Sequence, residues 1–202
     1  MDNNSSFIKW TPEFYSKLSK NYDVLAPIFL PIGEKAKKRI AEALKEGSVL
    51  DIACGTGALL AMACAKGLDC YGIDNAEGMI AESRAKIPDG EFKLASFYEI
   101  PYPDDTFDYV VETNAVSGVE IDADKVIAEM VRVCKPGGCI LIGDYCKPPR
   151  ENIWIRLVVW TGKFIGDYPH DFKGIFKNLG FEPYVEILGW SGVYQFIQVV
   201  KE

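Results

Sequence analysis

The chain is short of histidine, of paired cysteines and of long apolar runs, and each shortage closes off a class of function. Among 202 residues only His170 is a histidine, and the six cysteines (Cys54, Cys64, Cys70, Cys134, Cys139 and Cys146) contain no C-x-x-C pair. A zinc site therefore has no obvious ligand set, and no metal is expected. Cysteines on apolar segments read as small buried hydrophobes in a reducing, cytoplasmic compartment. No segment approaches the ~20 apolar residues of a membrane span. The opening Met1-Asp2-Asn3-Asn4-Ser5-Ser6 has neither a basic nor an apolar leader region, so a secretory signal is not expected there. A basic excess is missing too: the net charge of −7 argues against a nucleic-acid surface. Internal repeats and low-complexity linkers are absent.

What is present is the composition of one globular domain over 1–202, 49% hydrophobic and 25% charged, long enough to bury a substantial core. Apolar runs at 48–53, 69–74, 91–95, 107–113, 138–145, 182–189 and 193–200 read as strands. They alternate with helical stretches at 33–46, 58–66, 76–87, 122–134 and 169–179. That order predicts parallel βαβ units. The link Gly189-Trp190-Ser191-Gly192 is too short for a parallel crossover, so the last strand should run antiparallel. Charge divides the chain: residues 1–47 carry +2, 48–146 carry −10, 147–177 carry +3 and 178–202 carry −2. The resulting division is an N-terminal cap and helix (1–47), an acidic core (48–146), a lid-like insertion (147–168) and a C-terminal helix and hairpin (169–202). Segments 1–32 and 147–168 stand outside the alternation and read as additions at the top of the sheet.

The most informative stretch is Val49-Leu50-Asp51-Ile52-Ala53-Cys54-Gly55-Thr56-Gly57. It reads as a buried strand, a carboxylate, a turn with two glycines and then a helix, the layout of a nucleotide-type pocket at a strand's carboxyl end. Glycine lets a ligand approach the backbone because no Cβ intervenes. Asp74 closes the next apolar run and is placed to accept the two hydroxyl hydrogens of a ribose. A dinucleotide site would want a third glycine at position 60, where this chain has Leu60. No Lys or Arg lies between Val49 and Ala65 to meet a pyrophosphate.

The stretch Asp51-Ile52-Ala53-Cys54-Gly55-Thr56-Gly57 resembles the first motif of class I S-adenosylmethionine-dependent methyltransferases, with Ala53 where that motif usually has glycine. Asp74-Asn75-Ala76-Glu77-Gly78-Met79 is similar to the second motif, and Ala95-Ser96-Phe97-Tyr98-Glu99-Ile100-Pro101-Tyr102-Pro103-Asp104 to the third, with Ser96 in place of the common aspartate. Arg132-Val133-Cys134-Lys135-Pro136-Gly137-Gly138 matches the family's helix stop before the fifth strand. Asn21-Tyr22-Asp23-Val24-Leu25-Ala26 resembles the amino-terminal segment of the quinone- and phospholipid-pathway subgroup.

This resemblance implies a Rossmann-like three-layer α/β sandwich with a seven-stranded, mostly parallel sheet. It implies S-adenosyl-L-methionine as cofactor, held by Tyr22, Asp51, Ala53, Cys54, Gly55, Thr56, Gly57, Asp74, Asn75, Met79, Ser96, Phe97 and Asn114. The expected activity is methyl transfer to a small acceptor, apolar or lipid-like. The alternative is a protein that binds the cofactor without catalysis. Where relatives often carry a histidine pair this chain has Ser117-Gly118, so His170 is the one candidate proton acceptor. The apolar segment from Trp154 to Ile165, with Arg156 and Lys163, reads as a substrate lid, a core helix or a peripheral membrane contact.

Overall fold

The computed structural model describes residues 11–29, 31–118, 120–150, 152–189 and 191–202; the first ten residues of the N-terminal cap lie outside these. Seven strands are present: β1 (Ser48–Ile52), β2 (Asp69–Asp74), β3 (Glu91–Leu94), β4 (Phe107–Thr113), β5 (Cys134–Tyr145), β6 (Tyr184–Ile187) and β7 (Tyr194–Val200). They form one sheet in the order β3-β2-β1-β4-β5-β7-β6. The first five are parallel, and β7 pairs antiparallel with both β5 and β6. The expected seven strands and the reversed last strand are found, because the linker after β6 has room only for a hairpin turn.

The helices are α1 (Pro12–Phe29), α2 (Pro31–Ala43), α3 (Ala58–Cys64), α4 (Glu77–Lys86), α5 (Ala123–Val133), α6 (Ile153–Ile165) and α7 (Phe172–Asn178). Two apolar layers hold them to the sheet. On one face Val126, Ile127 and Met130 of α5 and Phe172 and Phe176 of α7 pack on Leu50, Val110 and Ile140, all essentially inaccessible. On the other face Ala36 and Ile40 of α2, Leu59 and Leu60 of α3 and Ile80 of α4 cover Val49, Val111 and Leu141. Truncating one such side chain to alanine costs about 2–5 kcal/mol, so the sheet is a stiff platform for whatever its carboxyl edge carries.

The additions at 1–32 and 147–168 contain the helices α1 and α6. Two sequence expectations are revised. The strand expected from 138 begins at Cys134, because Lys135–Gly138 form an irregularity between the Phe107–Cys134 and Tyr109–Cys139 pairings instead of a loop outside the sheet. Cys64 and Cys70, expected as separate thiols, are joined in a disulfide with Cα atoms 6.1 Å apart. The turn at Gly67 brings the end of α3 back beside the start of β2; Cys54, Cys134, Cys139 and Cys146 are free.

Candidate functional site

The glycine turn after β1 is shaped by its backbone. Ala53, Gly55 and Gly57 all have positive φ (59°, 54° and 76°). Such a conformation costs an L-residue about 1–2 kcal/mol, which explains glycine at two of the three positions. Alanine at the third is the smallest side chain that bears this strain. A Cβ built on Gly55 meets no protein atom within 4 Å, whereas one on Gly57 would sit 3.3 Å from Ile87 and Ser83. Gly55 therefore faces open space and Gly57 faces packing.

Asp74 ties this turn to the next one. One carboxylate oxygen accepts the Gly55 N–H at 2.9 Å and the other the Ala76 N–H at 2.9 Å. Burial raises its pKa, and the N–H groups of Ala76, Gly55 and Asn75 pull it back. Ser83 Oγ donates to the Gly55 carbonyl at 2.6 Å, fixing the turn against α4.

Beneath the turn Asp51 is 2% exposed, and its Oδ1 has no hydrogen-bond partner among the described residues. Its pKa is raised well above the ordinary carboxylate range by burial, then by the charge of Asp74, with Lys37 acting the other way. A buried acceptor without a donor is costly unless something supplies the hydrogen.

A cleft opens here between the carboxyl ends of β1 and β4 and the helices α1 and α2. It gathers Tyr22, Asp51, Ala53, Cys54, Gly55, Thr56 and Asn114 from the expected set, and adds Gly33, Glu34, Lys37 and Thr113. Gly57, Asp74, Asn75, Met79, Ser96 and Phe97 are not in its wall. Met79 is 2% exposed, while Asn75 and Ser96 are exposed to solvent beyond the cleft. Lys37 corrects the expectation that the site has no cation nearby; it arrives from α2, outside the segment inspected, and pairs with Glu34 at 2.7 Å. No signal in the α2 sequence separates Lys37 from its neighbours Lys35 and Lys38; only the helix's orientation does.

Helix α1 roofs the turn. Ser16 Oγ accepts the Gly78 N–H at 3.2 Å, and a Cβ on Gly78 would lie 2.5 Å from the Ser16 carbonyl, so the two helices meet backbone to backbone. Asp23 accepts the Thr56 hydroxyl at 2.5 Å and pairs with Lys86 at 2.6 Å. Burial raises the Asp23 pKa, but these two partners outweigh it and hold it below its ordinary value.

Asn114 ends β4 with φ 57°. The Tyr194 hydroxyl is shared between Asn114 Oδ1 and the Gly143 carbonyl. The turn beyond it is braced from below: Glu112 accepts the Ala115 N–H at 2.6 Å, and Asp144 accepts the Val116 N–H at 3.0 Å. Burial raises the pKa of both carboxyls, and the Asp144 charge raises Glu112 further. Asp167 lies near this group, pushed up to about 6 by burial and then by Asp144. His170 comes from far along the chain to the same turn, its Nε2 3.4 Å from the Gly118 carbonyl, between the rings of Tyr168 and Phe172. It does not line the cleft. Among the described residues no cluster of His, Cys, Asp and Glu is arranged to hold a metal ion.

Residues 50–142 match the family described as a methyltransferase domain. The demethylmenaquinone methyltransferase of Bacillus mycoides is 33% identical over 148 residues, 67% of this chain and 62% of that protein. Over residues 50–142 the chain carries a methyltransferase domain similar to those of its relatives. A second relative, the ubiquinone/menaquinone biosynthesis C-methyltransferase of Geobacter sulfurreducens, is 27% identical over 86% of this chain and 71% of its own length. In three dimensions the chain resembles phosphoethanolamine N-methyltransferase 2 of Haemonchus contortus, solved with S-adenosylhomocysteine. The TM-score is 0.69 at 18% identity, over 96% of this chain and 61% of that one; at this identity the likeness shows the fold. The chain spans 62% of the length of the first relative.

Proposed function

We propose that the chain binds S-adenosylmethionine in the cleft under α1 and transfers its methyl group to a small, largely apolar acceptor, of which a demethylated quinone such as demethylmenaquinone is the leading example. The observation that carries this reading is the pairing of an open cradle at Gly55 with the buried, unpartnered Asp51 Oδ1. A ligand with a cationic amino group beside a flat nucleoside satisfies both. Asp51 accepts from the amino group, the turn at 53–57 accommodates the chain of the ligand, and Lys37 offers a counter-charge for a carboxylate. Asp74 keeps lone pairs for ribose hydroxyls while it holds the turn.

The cofactor supplies an activated methyl, since a sulfonium is already a good leaving group. The chain's own residues supply position and dryness. Proximity and alignment are worth as much as ~7–11 kcal/mol in favourable cases. Asn114, fixed by Tyr194, sets the edge of the cleft nearest the acceptor side. An acceptor that is ionised at neutral pH needs no dedicated base; for one that is not, His170 is the nearest imidazole. The C-methyltransferase relatives support a quinone acceptor, and the apolar α6 supports a greasy one.

The test is calorimetry with S-adenosylhomocysteine followed by turnover on a panel of acceptors that includes a demethylated naphthoquinol, an amine and a carboxylic acid. Cofactor binding with turnover of the quinol supports the proposal. Binding with no turnover on any acceptor favours the non-catalytic reading, and no binding refutes both.

A further inference from the structure

Helix α6 has two faces of different kinds. The inner face is anchored: Ile155 is 8% exposed, Gly162 is buried, and the Tyr145 hydroxyl of β5 donates to the Val158 carbonyl at 3.1 Å. A Cβ on Gly162 would lie 2.9 Å from that hydroxyl, so the helix is pressed on the sheet's edge at the top of the fold. The ends are defined as well. The Asn152 side chain accepts the N–H groups of Trp154 and Ile155, and Gly166 closes the helix with φ 104°. This is a fixed element with a settled orientation.

The outer face is apolar and exposed. Ile153, Trp154, Leu157 and Trp160 are 73%, 67%, 51% and 63% exposed. Large apolar side chains clustered at helical spacing on a surface mark an interaction site. The chemistry of the partner follows from the charges beside them. Arg156 and Lys163 are seven residues apart and so share one edge of the apolar stripe; α6 contains no acidic residue. Exposed Arg150 stands just ahead of the helix. Residues 147–177 carry +3 in a chain of net −7, so this apolar face belongs to a basic stretch of an acidic protein. The Lys163 ammonium lies over the Tyr168 ring, 4.5 Å from its centre.

We infer that α6 is a membrane-docking helix that lies in the surface of an anionic bilayer, with its apolar stripe among the acyl chains and Arg156 and Lys163 at the phosphates. An apolar stripe with tryptophans at headgroup depth and cations along its edge is what an interfacial helix requires. No helix among the described residues is long and apolar enough to cross a membrane, so the contact is peripheral. The surface stands independently of the methyl-transfer reading. If that reading also holds, α6 places the cleft beside the phase in which an apolar acceptor dissolves.

The test is co-sedimentation of the full chain with vesicles of phosphatidylcholine alone and of phosphatidylcholine mixed with phosphatidylglycerol, at low and high salt. Binding should be strong only to the anionic vesicles and should fall with salt. Trp154→Ser with Leu157→Ser should abolish it. Each of Arg156→Gln and Lys163→Gln should weaken it about fivefold, with melting temperature and S-adenosylhomocysteine affinity unchanged. Those last two measurements separate this test from the proposed function, since cofactor binding can fail while docking holds, and the reverse. A wild-type chain that stays in the supernatant with anionic vesicles overturns the inference. So does a wild-type dimer by light scattering that Trp154→Ser with Leu157→Ser converts to monomer, because the face would then be covered by a second copy.

Discussion

Gly55→Ala separates the fold from the site more cleanly than any other single change. The added methyl meets no protein atom within 4 Å, so the folded chain loses no packing. What it gains is strain, because φ at this position is 54°. Ala53 already sits at φ 59° in the same turn, so the conformation is accessible to alanine. The cost is about 1–2 kcal/mol, which for a chain of this size lowers the melting temperature by roughly 2–8 °C. The effect on ligand is of a different order. If the cofactor lies against this turn, the methyl occupies its volume. Overpacking of a tight contact costs about 1–3 kcal/mol, a loss of roughly 5- to 150-fold in affinity. Gly57→Ala is the contrast, with its methyl 3.3 Å from Ile87 and Ser83; it should destabilise the fold more and disturb binding only through the fold. Ala53→Gly should leave both within about 1 kcal/mol. Calorimetry with S-adenosylhomocysteine and a thermal melt on each variant decide the matter. A Gly55→Ala protein that binds with wild-type affinity would refute the placement of the cofactor against the turn.

Four further outcomes are expected. Asp74→Ala should cost the cofactor about 1.5–3 kcal/mol of affinity and lower the melting temperature as well, since the Gly55 and Ala76 N–H groups lose their acceptor; unchanged calorimetry would remove Asp74 from the site. Asp167 has a folded pKa of about 6 against an ordinary 3.8, so the folded state holds its proton more tightly. Its contribution is therefore full below about pH 4 and lost as pH rises through 6, up to about 2–3 kcal/mol. Asp167→Asn should then stabilise the chain relative to wild type at pH 8 but not at pH 4, and parallel denaturation curves at the two pH values would count against this. Once an acceptor is in hand, His170→Ala should slow turnover by less than about tenfold, whereas a drop of a hundredfold or more with folding intact would make it the base. Finally, hydrogen exchange in α1 should slow when S-adenosylhomocysteine is added, as expected of a cover that tightens on ligand; identical exchange with saturating ligand would show the helix permanently packed.

Most of the sheet was legible because parallel strands buried on both faces leave continuous apolar runs, and the runs at 48, 69, 107 and 193 begin within a residue of the observed strands. The two cover helices were harder for opposite reasons. Helix α1 announces itself only at its start, where Thr11 accepts the Phe14 N–H and Pro12 takes the first helical position. Helix α6 is apolar on nearly every side, so no 3.6-residue period betrays it; its Asn152 cap and Gly166 stop were the readable marks. In the site, Asp51 and the turn are contiguous in sequence and Asp74 closes the next apolar run, so all three could be read there. Lys37 could not, because it depends on how α2 is rotated. The meeting of Cys64 with Cys70 likewise depends on one turn's path.

The bond from Asp23 to Thr56 has a kinetic meaning. It fastens the roof to the floor of the same cleft, and Lys86 on α4 holds the same carboxylate. If the cofactor occupies this cleft, its entry and exit require this three-way knot to be untied. Because Asp23 stays ionised well into acid, the knot does not loosen by protonation anywhere near neutrality. Release of spent cofactor, more than the transfer itself, is then the step that Asp23→Asn should hasten. A stopped-flow measurement of S-adenosylhomocysteine dissociation would read that gain directly, and an unchanged rate would show that the roof opens elsewhere.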